Sequence, residues 1–329
     1  MDLYGLMRKL REVLGDKRMC KYGLDFENKG DHLILLGTVD TLESLKLVKD
    51  VISEMPEVKC EIYTLEERVP EMFKWAVCTS TVCDLRTEPK FKSERIHQLI
   101  FGECAKTLSF ENEYVLLKDL RTSFVGWARR SQITFTDEIS HRTWEKIGRE
   151  VIVDKRFSKS DFDGDVLYLP FGTKIPAIEK KDFWESFLPN GHTLKIPKED
   201  ASYADEKKFE DLRNVWDIFL GTPYLWGGTS AYGYDCSGYV GRLYDYVGIE
   251  IPRDADLQQN VAIDVKKDEL RFGDLVFFPG HVAMYVGNGE ITHSNLTQGG
   301  VGKSQIFSPR NYAEGWLKGH VTKFGRVVK

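Results

Sequence analysis

Tyr234-Asp235-Cys236-Ser237-Gly238-Tyr239-Val240 is the stretch on which the reading of this chain turns. Beyond the cysteine, Val240, Leu243, Tyr244 and Val247 recur at i, i+3, i+4 and i+7. That spacing predicts a helix over about 237–247, with Cys236 at its N-terminal end. A cysteine attacks as the thiolate, and its ordinary pKa is about 8.5. The unpaired N–H groups and partial positive charge of a helix N-terminus both favour the thiolate. Taken alone, a cysteine so placed is more often a small buried residue than a nucleophile.

A second stretch changes that balance. Gly273-Asp274-Leu275-Val276-Phe277-Phe278 reads as an apolar strand, and His281-Val282-Ala283-Met284-Tyr285-Val286 as another. Gly287-Asn288-Gly289 is a turn signal, and Glu290-Ile291-Thr292-His293 starts the returning strand. A three-residue loop would set Val286 against Glu290 and Ala283 against His293. His281 and His293 would then be diagonal neighbours on one sheet face. A two-residue Asn-Gly loop would put His293 on the other face. The catalytic reading therefore predicts the three-residue loop, with left-handed backbone at its last residue. On that reading Cys236 attacks a carbonyl. His281 takes its proton and later protonates the leaving amine, while His293 orients His281 and helps to hold the ion pair.

Upstream, Gly221-Thr222-Pro223-Tyr224-Leu225-Trp226-Gly227-Gly228 places a Gly-Gly pair among aromatics, a sign of close backbone approach. The motifs Pro223-Tyr224-x-Trp226-Gly227-Gly228, Asp235-Cys236-Ser237-Gly238, Pro252-Arg253, Gly273-Asp274-Leu275-Val276-Phe277-Phe278, His281-Val282-x-x-Tyr285 and Gly287-Asn288-Gly289-x-Ile291-x-His293 occur in order. Together they resemble the NlpC peptidase family over residues 207–325. The resemblance implies a papain-like α+β fold that cleaves peptidoglycan stem peptides between γ-D-glutamate and the L-diamino acid. It implies Tyr224 near the oxyanion hole, and Trp226 and Ser237 lining the γ-D-glutamyl site. Asp235 and Arg253, from the same motifs, are counted with the substrate-binding residues. No metal or cofactor is expected.

The remainder of the chain is organised differently. Leu3, Leu6, Met7, Leu10 and Leu14 have helical spacing, as do Leu42, Leu45, Val48, Val51 and Ile52. Strands are expected over 31–39 and 58–65. Residues 1–70 thus read as a small α/β sandwich, with a faint resemblance to BON-type domains, and Val69-Pro70-Glu71 as a linker. From 73 to 136 short strands and turns carry Asp84-Leu85-Arg86-x-x-Pro89, Gly102-Glu103 and Gly126-Trp127, which resemble a bacterial SH3-type barrel. Residues 145–200 read as a second, divergent barrel of that sort.

This domain order is similar to γ-D-glutamyl-L-diamino acid endopeptidases that recycle cell-wall peptides. In that subgroup an acidic residue after the Pro-Arg motif binds the free amine of an N-terminal L-Ala, and Asp254 matches it. The subgroup also closes the site with the first barrel, where a tyrosine often precedes Gly-Trp and a serine often follows the acidic residue. Phe124 and Ala255 depart from both patterns.

Composition sets the outer limits. The 329 residues are 42% hydrophobic and 29% charged, with a net charge of -5. Such a chain has real cores and no broad electrostatic reason to bind nucleic acid or an anionic membrane. No apolar run is long enough to span a bilayer. The N-terminus lacks a basic start followed by an apolar stretch, so a cytoplasmic location is expected. Cys20, Cys60, Cys78, Cys83 and Cys104 show no C-x-x-C pair and read as small buried residues. The expected partners are murein peptides of the L-Ala-γ-D-Glu-diamino acid type. Two rival readings stand beside this one: a cell-wall-binding protein with a vestigial peptidase domain, and a papain-fold amidase or acyltransferase. Oligomeric state and the preferred diamino acid are not legible.

Overall fold

The computed structural model describes residues 3–327. Among them are seven α-helices and twenty-five strands, distributed over three compact units and a C-terminal α+β unit.

The first unit runs α1 (Leu3–Leu14), β1 (Tyr22–Asn28), β2 (Leu33–Val39), α2 (Leu42–Ile52) and β3 (Val58–Thr64). β2 is central, antiparallel to β1 and parallel to β3. Leu6, Leu10 and Leu14 of α1, four residues apart, bury one stripe against Val48, Val51 and Ile52 of α2 and Leu33, Leu35 and Val39 of β2. Thr41 caps α2, accepting from the Ser44 N–H at 3.3 Å. Strand β1 adds to the strands expected from the sequence, although Tyr22, Leu24 and Phe26 alternate with Gly23, Asp25 and Glu27 as in a half-buried strand.

The second unit is a seven-stranded antiparallel sheet of β4 (Trp75–Cys78), β5 (Val82–Arg86), β6 (Arg95–Ile100), β7 (Cys104–Glu111), β8 (Tyr114–Asp119), β9 (Val125–Arg129) and β10 (Ile133–Thr136), in the order β10-β4-β7-β8-β9-β5-β6. Helix α3 (Glu138–Trp144) leads to a third unit: β11 (Arg149–Val153), β12 (Phe157–Phe162), β13 (Asp165–Pro170), β14 (Lys174–Glu179), β15 (Phe183–Phe187), β16 (Thr193–Pro197) and β17 (Ala201–Tyr203). Its order is β13-β12-β16-β15-β14-β11-β17. Among the described residues, no strand pair joins the two edges of either sheet.

The C-terminal unit holds α4 (Leu212–Val215), the two-residue strands β18 (Thr229–Ser230) and β19 (Gly233–Tyr234), α5 (Cys236–Tyr246), α6 (Ala255–Val261) and β20 (Ile263–Asp264). Then come β21 (Leu275–Phe278), β22 (His281–Gly287), β23 (Glu290–Asn295), β24 (Gly300–Gln305), α7 (Tyr312–Gly319) and β25 (Lys323–Arg326). The sheet order is β20-β25-β21-β22-β23-β24. Helix α5 is buried along its whole length and packs on β22 and β23. The core there includes Tyr239, Val240, Leu243, Val282 and Met284, together with Ile152 and Phe171 of the third unit.

The units are bolted to one another by buried polar contacts. Arg242 of α5, nearly inaccessible, donates to Glu103 at 2.8 Å and to Asp245 at 3.1 Å. Thr229 donates its N–H and hydroxyl to the side chain and carbonyl of Gln98, at 3.1 and 3.0 Å. A buried charge left without its partner is strongly destabilising, so such pairs specify one docking geometry. No described helix is long and apolar enough to cross a membrane.

Candidate active site

Asp235 starts α5, and its carboxylate organises everything around Cys236. One oxygen accepts from the Gly238 N–H at 2.7 Å, capping the helix; the other accepts from the Gly227 N–H at 3.0 Å. Arg253 closes the group with a two-pronged ion pair to Asp235, at 2.6 and 3.0 Å, and donates to the Ser237 hydroxyl at 2.9 Å. Glycine is required where these segments touch. A Cβ on Gly238 would lie 2.1 Å from the carbonyl oxygen of Gly228, and one on Gly228 would lie 2.4 Å from that of Gly233.

Cys236 is therefore the first helical residue, held over the start of β22. The backbone N–H groups of Val282 and Ser237 favour its thiolate. Burial nevertheless pushes the thiol up to about 11, with the Asp235 charge adding to the effect and those N–H groups opposing it. His281 stands at the start of β22. Burial lowers its imidazole to about 4, against the pull of Asp235. Either charge alone is disfavoured here. For the thiol, burial thus opposes the helix end, which favours the thiolate.

His281 Nε2 lies 2.8 Å from His293 Nδ1, which leaves Nδ1 of His281 for the thiol. For that nitrogen to accept a proton, Nε2 must carry hydrogen and donate to His293. His293 is nearly inaccessible, and its Nε2 meets Ser304 Oγ at 3.1 Å and Asn295 Nδ2 at 3.0 Å. Burial, and then the neighbouring His281, lower it to about 3.

The hairpin that joins the two histidines differs from the sequence expectation. The loop has two residues, not three: Gly287 pairs with Glu290, and Asn288 and Gly289 both have positive φ, 53° and 75°. The register then shifts between Gly287 and Tyr285, leaving Val286 as a bulge. Tyr285 pairs with Ile291 and Met284 with Thr292, so the register brings Ala283 opposite His293. The bulge restores the face that a regular Asn-Gly hairpin would have lost.

Tyr224, Trp226, Asp235, Cys236, Ser237 and Asp254 all line one cavity of about 560 Å³. His281 and His293 line a smaller one, of about 300 Å³, with Trp316 of α7. Arg253 lies behind the first cavity and lines neither. The Tyr224 phenol is pushed up to about 12 by burial, with Cys236 and Asp235 adding to it. Ala255 lies on the wall of the same cavity, as does Phe124, which is buried. Asp254 is already engaged: one oxygen accepts from Arg18 at 2.6 Å, and the other is 3.9 Å from Arg253. Among the described residues no cluster of three His, Cys, Asp or Glu side chains could hold a metal ion.

Sequence reasoning missed the supports that come from other units. His97 of β6 accepts from Arg253 Nε at 2.9 Å and faces Asp119 at 3.2 Å through its other nitrogen. Glu94 accepts from the Trp226 indole at 2.8 Å. Arg18 comes from the loop between α1 and β1.

Residues 221–321 match the family model described as the NlpC/P60 family. This segment is an NlpC/P60 domain. The chain is 32% identical over 190 residues to a protein of Bacillus cereus named gamma-D-glutamyl-L-lysine dipeptidyl-peptidase. That match covers 52% of this chain and 56% of the relative, just over half of its length. A Bacillus subtilis protein of the same name is 29% identical, with 61% of this chain and 72% of the relative covered. Among solved structures, an NlpC/P60 family protein from Bacillus cereus superposes with a TM-score of 0.68 at 24% identity. It covers 77% of this chain and 99% of its own, a likeness of fold. The NlpC/P60 domain thus holds Cys236, His281 and His293, while residues outside it supply His97 and Arg18.

Proposed function

We propose that this chain is a cysteine endopeptidase that hydrolyses the γ-D-glutamyl–L-diamino acid bond of peptidoglycan stem peptides. The observation that carries this reading is the 2.8 Å contact between His281 and His293, on strands that pack against α5, the helix that Cys236 starts. The names of the two Bacillus relatives support the choice of bond.

In the reaction, Cys236 Sγ attacks the γ-carbonyl of D-glutamate as its proton passes to His281 Nδ1. The C–N bond breaks, the departing amine takes that proton, and a thioester remains on Cys236. A water molecule then attacks the thioester, giving a proton to His281; the C–S bond breaks, that proton passes to the sulfur, and the free acid leaves. Tyr224 is read as facing the developing oxyanion, and Trp226 and Ser237 as flanking the glutamyl group. Asp235 and Arg253 fix these positions rather than the substrate, since most of their polar atoms are already taken. No metal enters these steps.

The two seven-stranded units are read as SH3-type barrels, a reading supported by their short antiparallel strands. Soluble turnover peptides in the cytoplasm are the substrates proposed, L-Ala-γ-D-Glu-diamino acid among them. The test is incubation of the full chain with L-Ala-γ-D-Glu-meso-diaminopimelate, with products followed by mass spectrometry. Release of L-Ala-D-Glu, absent with Cys236→Ala, is expected. An intact peptide after prolonged incubation, with lysine as well as diaminopimelate in the third position, overturns the reading.

A further inference from the structure

The first unit reaches the cavity that contains Cys236. Lys17, Arg18 and Lys21, all from the loop between α1 and β1, form part of that cavity's wall. The loop is anchored at both of its faces. The Arg18 carbonyl accepts from the N–H of Val125, the first residue of β9, at 2.8 Å. Its side chain crosses to the C-terminal unit, 236 and 238 residues further along.

All five guanidinium N–H bonds have partners. Nε and Nη2 meet Asp16 at 3.1 and 2.6 Å, Nη1 meets Asp254 and Asp256 at 2.6 and 3.1 Å, and Nη2 meets Asp256 at 2.8 Å. A guanidinium with its fork filled from both sides is fixed, where a lone surface arginine sweeps through many rotamers. Asp254 follows Arg253 directly and opens α6, but its side chain makes no capping bond. It turns toward Arg18 instead.

We propose that Arg18 is a specificity-determining residue, a stop supplied by the first unit that ends the acyl side of the cleft and limits how far a peptide extends beyond the scissile bond. The inference rests on the peptidase reading above. The whole cavity, with Cys236 and Arg18 both in its wall, holds about 560 Å³, a volume that suits a small-ligand-sized group. A peptide lengthened or acylated at its amino end has to displace a guanidinium shared by three carboxylates. A short peptide ends before the wall, where the second oxygen of Asp254 is left to meet its ammonium group.

The experiment compares kcat/KM of the full chain on two substrates: L-Ala-γ-D-Glu-diamino acid, and the same peptide carrying one further residue on the alanine. The native protein is expected to prefer the shorter peptide by at least 10-fold. Arg18→Ala should bring the ratio close to one, and Arg18→Lys, which keeps charge but not the fork, should leave an intermediate ratio. A native protein that cleaves both peptides equally, or an Arg18→Ala variant that keeps the native ratio, overturns the proposal. If the native chain cleaves neither, the peptidase reading has failed. The stop is then read by calorimetry on the native and Arg18→Ala chains, with L-Ala-γ-D-Glu and its N-glycyl derivative. At least 10-fold weaker binding of the longer ligand, lost in Arg18→Ala, supports the stop; equal binding by the native chain overturns it.

Discussion

Arg253 of the NlpC/P60 domain donates its Nε–H to Nδ1 of His97, 2.9 Å away across the boundary with the second unit. Both side chains are buried. Because Nδ1 must accept, His97 carries its hydrogen on Nε2, toward Asp119 at 3.2 Å. The line Asp119–His97–Arg253–Asp235 ends on the residue that caps the Cys236 helix.

His97→Ala breaks that line in the middle and leaves both the Arg253 N–H and the Asp119 carboxylate short of a partner. A loss of about 1–3 kcal/mol in unfolding free energy is expected, the cost of stranding a buried polar group. Denaturant unfolding checks it. His97→Gln, which can still accept a hydrogen bond, should recover part of the loss, and equal losses for both variants would show that packing alone is at stake.

In the proposed mechanism protonation of His281 removes the base, and its imidazole is lowered to about 4 by burial. The thiol is raised to about 11. Activity needs one proton on the pair, so kcat/KM should stay level from near neutrality well into the acid range. Its acid limb should fall below the ordinary histidine value of about 6.5. A pH–rate profile with an acid limb at 6.5 or above contradicts this.

In the proposed mechanism His293 supplies the acceptor that keeps hydrogen on Nε2 of His281. His293→Ala should lower kcat by roughly 100-fold with little change in KM, in line with other orienting groups of nucleophile–base pairs. His293→Asn should recover part of that, since its side-chain oxygen can accept. Steady-state kinetics of the two variants decide the matter.

Burial lowers the pKa of His97, His281 and His293 alike. Between their folded values and about 6.5 the unfolded chain binds more protons than the folded one. Stability is therefore complete above the ordinary histidine range and declines as pH falls below it. The decline is at most roughly 1.4 kcal/mol per pH unit for each histidine. Urea midpoints at pH 7.5 and 5.5 should differ accordingly, and identical midpoints contradict the neutral buried state.

Gly238→Ala puts a methyl group 2.1 Å from the Gly228 carbonyl oxygen. Backbone cannot swing aside as a side chain does, so helix and loop must part. A loss of about 1–3 kcal/mol is expected, together with lowered activity through Cys236. Thermal unfolding and turnover of the variant test both.

The placement of the helix and the two histidines in the C-terminal unit was legible because its signals are local. The period of Val240, Leu243, Tyr244 and Val247 placed the helix, and two histidines twelve residues apart across a Gly-Asn-Gly turn placed the dyad. The bulge at Val286 was not legible, since valine is at home in a regular strand as much as at a bulge. At Cys236 the helix N-terminus, which favours a thiolate, is opposed by burial, which raises the thiol. His97 and Arg18 act on residues 156 and 236 positions away. No periodicity links such pairs, and each side chain on its own looks like an ordinary surface or core residue.

The bulge has one more consequence, for comparing chains. Tyr285 already pairs with Ile291, and Gly287 with Glu290, while Val286 pairs with nothing. A relative lacking that one residue would run a regular ladder from the same Asn-Gly turn and still set its two histidines side by side. A one-position gap opposite Val286 in an alignment is therefore silent, and is no ground for judging a homologue inactive.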